Sequence, residues 1–205
     1  MFKFLKLLFV PCHLVFPYKL YFLLKKVGWV IYSAWVSHSF KSMNGIVKNG
    51  LTLHGGRYIT IGKGSVIGRN ATIEAWDCFL GEHFTPKINI GENVTIKDNV
   101  HITSVNSIVI EDGVLFGPNV LVSDNAHGTT TLDNLNISPV KRKLASHGGV
   151  LIKKNAWVGE KASILPGVTI GKGAIIGANS VVTKDVPDYG VAVGSPAKVV
   201  KIVNK

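Results

Sequence analysis

The sequence predicts an all-β chain wound as a parallel β-helix of about six coils, with a short helical extension at its N-terminus. Three observations predict it. From Ile61 onward an aliphatic residue recurs every six positions, a period that is neither the 2.0 of a strand nor the 3.6 of a helix. Glycine is abundant, 22 in 205 residues against 4 Trp, 5 Tyr and 9 Phe, which points to many repeated turns. Hydrophobic residues make up 46% of the chain and charged residues 17%, so the chain can bury a core and does not have the composition of a disordered one. Two cysteines, Cys12 and Cys78, are too few to staple a disulfide-rich secreted domain.

The extension is residues 1–44. It is rich in Phe, Leu, Tyr, Trp and Val, punctuated by Lys, and holds a single Gly before residue 44, Gly28. The net charge of +11 is concentrated here and just beyond: ten cations precede Glu74, the first carboxylate in the chain. That excess favours an anionic partner such as membrane headgroups, nucleic acid or a phosphorylated substrate. The longest stretch without charge, 27–40, is 14 residues, short of the roughly 20 that a spanning helix needs. Residues 1–6 and 7–16 resemble the basic and apolar parts of a secretory signal, but no small-x-small cleavage site follows and Pro17-Tyr18-Lys19 replaces it poorly. Two readings stay open: helices packed on the main body, or an interfacial anchor giving peripheral membrane contact through 1–43. Either way the expected location is cytoplasmic.

The body is residues 45–187. Reading in sixes gives Ile61-Gly-Lys-Gly-Ser-Val, Ile67-Gly-Arg-Asn-Ala-Thr and Ile73-Glu-Ala-Trp-Asp-Cys, returning at Ile90, Ile96, Ile102, Ile110, Phe116 and Val122. The frame resumes at Ile152 and runs through Val158, Ile164, Ile170, Ile176 and Val182 without a slip. An aliphatic side chain every six residues can point inward and stack on its counterpart in the next coil, while Gly or Asn near each corner accepts the angles of a sharp turn. Three such repeats close one coil. At roughly 4.8 Å per stacked strand, six coils stand about 29 Å tall. Irregular intervals locate the departures: residues 77–87, a small bulge near Val105, and residues 128–150, which contain Lys141-Arg142-Lys143. Long insertions in a repeat scaffold usually lie on its binding face. Residues 188–205 are left as a C-terminal tail.

The hexapeptide series, the long excursion and the run from Val150 through Trp157-Val-Gly-Glu, Pro166-Gly-Val-Thr-Ile-Gly and Gly177-Ala-Asn-Ser-Val-Val-Thr183 to Gly194-Ser-Pro-Ala-Lys198 resemble the hexapeptide-repeat acyltransferases, nearest the maltose, galactoside and polysaccharide O-acetyltransferases. The resemblance covers about residues 45–205. It implies a left-handed β-helix, against the usual right-handed crossover, a homotrimer with active sites between subunits, and acetyl-coenzyme A as co-substrate. The implied activity is transfer of an acetyl group to a hydroxyl of a sugar or surface-polysaccharide precursor, with an N-acetyltransferase on an amino sugar nucleotide as the runner-up.

Of seven His, His127 stands apart because it ends Val122-Ser-Asp-Asn-Ala-His127-Gly, the last rung before the long excursion. In the family this position holds the catalytic His, and imidazole as a side-chain type titrates near neutrality, as a general base should. Asp124 and Asn125 are placed to orient the imidazole or meet the acceptor, although turn formation would explain either. The family's acceptor-contacting Asn aligns with Lys97, leaving Asn99 as the nearby candidate. For coenzyme A the resemblance implies Trp157 and Gly159 beside the pantetheine arm, Ala178 along it, Thr183 and Lys184 at the nucleotide end, and Lys198 and Lys201 toward the phosphates.

Rival readings are weaker. The same prism builds zinc carbonic anhydrases, which use three His with two of them five residues apart, a spacing absent here; no metal is expected. Neither Cys has the setting of a nucleophile. Nucleic-acid binding has charge in its favour but no recognised module, and none is expected. A membrane-docked trimeric scaffold without activity would leave the setting of His127 and the coenzyme A run unexplained.

Overall fold

The computed structural model describes residues 2–11 and 17–203, so Cys12 and the second half of the apolar segment of the signal-like stretch lie outside the described residues. Two helices come first, α1 (Phe2–Leu8) and α2 (Tyr18–Val36); after them the chain is strands, apart from one α-helical turn at Leu132–Leu135 and three-residue 3-10 turns. The strands form a three-faced prism. Six parallel strands make the first face, from Ser42–Met43 to Thr169–Ile170, and six make the third, from Thr52–His54 to Val181–Val182. The second face runs from Ile46–Val47 to Ile175–Ile176 and is then extended by Gly190–Gly194 and Ala197–Ile202.

The six-residue frame fixes the register. Ile61 pairs with Ile90, Ile90 with Ile110, Ile110 with Ile152 and Ile152 with Ile170, one aliphatic column per face. All fifteen residues that open a repeat, from Ile61 to Val182, are at most 2% exposed. The fifth places are buried beside them where the coil is unbroken, as at Val94, Val100, Val114, Ala162 and Ala174. The core is therefore a one-dimensional stack in which each coil covers the apolar floor of its neighbour.

The corner chemistry divides more sharply than composition suggests. Positive φ falls on the fourth place of the repeat, filled by Asn70, Asn93, Asn99, Asn119, Asn155 and Asn179, with Gly64, Gly113 and Gly173 alternating. The second-place glycines do not need that freedom. A Cβ on Gly62 would stand 2.5 Å from the backbone carbon of Gly91, and one on Gly159 2.7 Å from the amide nitrogen of Ala178. They are glycine because consecutive coils touch there.

Both ends of the prism depart from the expected boundaries. Strand Ser42–Met43 already pairs in register with Thr60 and Ile61, so the first coil opens before residue 45. At the other end Val186 bridges Ile170 and Ala192 pairs with Ile176, each step falling two positions short of three full repeats. That shortened coil shifts the frame by two and hides a strand within residues 188–205. Its partner, Ala197–Ile202, returns antiparallel.

Helix α2 closes the first end. Ser33 is buried; its hydroxyl donates to the carbonyls of Trp29 (2.6 Å) and Val47 (3.0 Å) and accepts the amide of Val47 (2.8 Å). Val47 belongs to the outermost strand of the second face, whose free backbone groups would otherwise be buried without partners. Ser33→Ala is expected to lower stability by about 2 kcal/mol, the range for stranding buried backbone groups, measured as the shift in the urea midpoint. Beyond Ser33 and Val36 the helix exposes Leu23, Leu24, Val27, Val30, Ile31 and Trp35. No helix among the described residues is long and apolar enough to cross a membrane.

Candidate active site

The third face ends where the chain makes both of its long departures from the repeat. After strand Thr72–Ala75 comes a hairpin, Cys78–Phe79 paired antiparallel with Glu82–His83. After Leu121–Ser123 the chain runs Asp124-Asn125 into Ala126–His127, which pairs antiparallel with Leu144–Ala145 at the far end of the long excursion. His127 is thus held by backbone pairing to Leu144, a buried residue, while its own side chain is exposed. The next residue, Gly128, has φ +80, and a Cβ there would meet Asn134 Oδ1 and the Arg142 stem. The glycine lets the excursion leave immediately after the imidazole.

The two departures meet. The Phe79 ring stands edge-on to the His127 ring at 5.6 Å between centroids, and Lys143 Nζ lies 2.6 Å from Glu82 Oε1. Behind Phe79 the aromatic series continues through Trp76 at 6.2 Å and His54, stacked on Trp76 at 4.0 Å. Asp77 anchors the hairpin base through Tyr58 Oη (2.9 Å) and Arg57, and these two hydrogen bonds hold its carboxyl below the usual carboxylate range. Sequence reasoning misses Phe79, Trp76 and His54, since they belong to three elements that only the coil superposition aligns. The available signal is the position of His54 and Trp76 at the ends of consecutive third-face strands.

Asp124 is placed differently from the sequence expectation. It is wholly buried, and its carboxylate accepts from Ser104 Oγ (2.6 Å), the amide of Val105 (2.8 Å), the amide of Asn106 (3.0 Å) and Asn125 Nδ2 (3.3 Å). It pins the bend after the preceding third-face strand and presents no oxygen to an acceptor. Asn125 is half-buried, reaching back to Asp124 and Thr103. It shapes the corner that His127 leaves.

Asn99 falls on another edge. It is a left-handed corner residue, φ +59, between the second and third faces, its amide donating to the Arg69 carbonyl and its Oδ1 accepting from Asn70. A full third-face strand separates that edge from His127's.

The expected coenzyme A residues also divide between edges. Trp157, 50% exposed, points off the second face in a column with Ile175, Val191 and Lys201. Gly159 abuts Ala178 on the second-to-third edge, and Lys198 pairs with Val193 on the terminal hairpin. Thr183 and Lys184, both exposed, instead follow the third-face strand Val181–Val182 and share the edge of His127. Strand Leu121–Ser123 is two steps from Val181–Val182, a rise of about 10 Å. One chain therefore carries an imidazole edge and a tryptophan–lysine edge on opposite sides of its third face. His101 contacts Glu74 (3.2 Å) on the outer third face, and His83, on the hairpin, lines a pocket with Phe84, Val105, Asn106 and Ser146 that does not include His127. Cys78 is free and exposed at the hairpin start.

Comparison with known proteins agrees with this architecture. Residues 149–184 match the bacterial transferase hexapeptide (six repeats) family. The chain is 33% identical over 163 residues to the putative lipopolysaccharide biosynthesis O-acetyl transferase WbbJ of Escherichia coli, covering 68% of this chain and 83% of that protein. It is 34% identical over 145 residues to the galactoside O-acetyltransferase of the same organism, covering 68% of this chain and 64% of that one. Among solved structures, a hexapeptide-repeat acetyltransferase of Vibrio cholerae complexed with acetyl-coenzyme A superposes with a TM-score of 0.57 at 23% identity, over 86% of this chain and 78% of that one. The coils are those of a left-handed parallel β-helix.

Proposed function

The chain belongs to the hexapeptide-repeat acyltransferases, and from that premise we propose that it moves an acetyl group from acetyl-coenzyme A to a hydroxyl of a sugar or surface-polysaccharide precursor, with His127 as general base. The observation that carries the reading is the meeting of both excursions around an exposed imidazole whose backbone is clamped to Leu144. The relatives named for O-acetyl transfer to lipopolysaccharide and galactosides support the acceptor class.

His127 takes the proton of the acceptor hydroxyl as its oxygen attacks the thioester carbonyl. The tetrahedral centre collapses with cleavage of the C–S bond, and the imidazolium returns its proton to the departing sulfur. No acyl-enzyme is needed, since both reactants are held together.

The split of site residues between two edges supports a homotrimer. A threefold arrangement would set the imidazole edge of one protomer against the tryptophan–lysine edge of the next and form three grooves. Lys184, Lys198 and Lys201 suit phosphate recognition, because no carboxylate pairs with them among the described residues. The exposed apolar face of α2 and the cationic first 73 residues support peripheral membrane contact. An acceptor screen with acetyl-coenzyme A and detection of free thiol tests the activity. Thiol release dependent on a saccharide hydroxyl is expected; turnover only with amino sugars would replace O-transfer by N-transfer.

A further inference from the structure

The N-terminal half of α2 does not lie bare against the prism. It borders a cleft of about 530 Å³ whose other wall is the edge between the second and third faces, at Lys48, Arg69 and Asp98. The helix contributes Tyr21, Phe22, Lys25 and Trp29. Two ammonium groups flank one indole: Lys48 Nζ stands 4.7 Å from the Trp29 ring centroid and Lys25 Nζ 5.9 Å, with Lys25 also 5.6 Å from Tyr21. Neither lysine forms an ion pair among the described residues.

The acid in the cleft is already occupied. Asp98 accepts the Arg69 amide (2.8 Å) and both Nε (2.8 Å) and Nη2 (2.6 Å) of its guanidinium. Burial works to raise the Asp98 carboxyl, yet these hydrogen bonds outweigh it and hold it below its ordinary value. The pair is internally neutral, so Lys25 and Lys48 set the charge. The Trp29 indole N–H is buried and has no hydrogen-bond partner among the described residues.

We propose that this cleft is a seat for the phosphate of an anionic phospholipid headgroup, docking the enzyme on a membrane surface with α2 along the interface. Two positive charges held over aromatic rings suit a phosphate whose acyl chains continue into apolar surroundings. Leu20, Leu23, Leu24 and Val27 are exposed on the opposite face of the same helical segment, the arrangement of a helix lying in an interface with its cationic face at phosphate level and its apolar face toward the acyl chains. No carboxylate precedes Glu74 to repel an anionic bilayer, whereas a polynucleotide would leave that apolar row in water. The inference rests on the membrane-contact reading but not on the identity of the acceptor.

Flotation with vesicles of phosphatidylcholine and phosphatidylglycerol mixed two to one, against phosphatidylcholine alone, tests it on the full-length protein. Lys25→Gln/Lys48→Gln is compared with Lys19→Gln/Lys26→Gln, which removes the same charge from the same region. Diffuse attraction predicts roughly a thirty-fold loss in both, at about 1 kcal/mol per lysine. A seat in the cleft predicts a loss at least tenfold greater for the Lys25/Lys48 pair, with thermal midpoint and turnover on a soluble acceptor unchanged. Equal losses would overturn the seat while leaving membrane contact standing. No binding of the parent protein to either vesicle would overturn both. Tryptophan fluorescence that responds to inorganic phosphate in a protein that ignores vesicles would reassign the cleft to a free phosphate and overturn the lipid.

Discussion

His127→Ala is expected to reduce acetyl transfer by roughly 10²–10⁴-fold, the contribution of a positioned general base, while leaving the fold intact. The side chain is exposed and meets Phe79 edge-on, so its removal opens no cavity. The backbone pairing to Leu144 persists in alanine, which keeps the excursion in place. The loss should therefore appear in kcat, with KM for acetyl-coenzyme A little changed, because the imidazole is not among the residues proposed to hold coenzyme A. Steady-state kinetics with thiol detection decide it. Turnover within a factor of three of the parent enzyme would remove His127 from the mechanism.

Asp124→Ala should produce the largest loss of stability. It strands Ser104 Oγ and the amides of Val105 and Asn106 in a buried corner, and orphaned groups of this kind cost about 1–3 kcal/mol each. A total of about 4 kcal/mol lowers the thermal midpoint by roughly 10 °C for a chain of this size. Because Asp124 is three residues before His127, activity should fall as well, through a displaced corner. Asp124→Asn, which keeps two of the acceptor geometries, should recover part of the midpoint and part of the turnover together. An unaltered midpoint combined with a raised KM for the acceptor would instead make Asp124 a direct acceptor contact.

The repeat is readable because each inward position carries its own aliphatic residue, so one period dictates both register and core; Ile61, Ile90 and Ile110 need no structure to be aligned. The frame fails at the last coil, which is shorter than three full repeats, so that Val186 arrives two positions early. His127 is legible as the last rung before a gap in the period. The surroundings of that rung are not. Phe79 reaches it, and Glu82 reaches Lys143, through an excursion with no repeat to index them, and Asp124 reads as a polar corner residue whether its carboxylate faces outward or, as found, inward onto four donors. The division of the coenzyme A candidates between two edges also escapes the linear reading, since Trp157 and Thr183 fall in one uninterrupted run of repeats but on different faces.

A stack of identical rungs has no intrinsic length. Each terminal strand of the second face offers the same hydrogen-bonding comb as every internal one, so a prism with raw ends could add a neighbouring molecule as its next rung and grow into a filament. Two unlike devices stop this: the Ser33 hydroxyl engages the comb at Val47, and the antiparallel Ala197–Ile202 turns the chain back against the direction of growth. Rung number here is set by terminators as much as by the repeat. A chain cut after Gly194 would expose a growing tip, and its solubility on concentration would report how much the final strand restrains polymerisation.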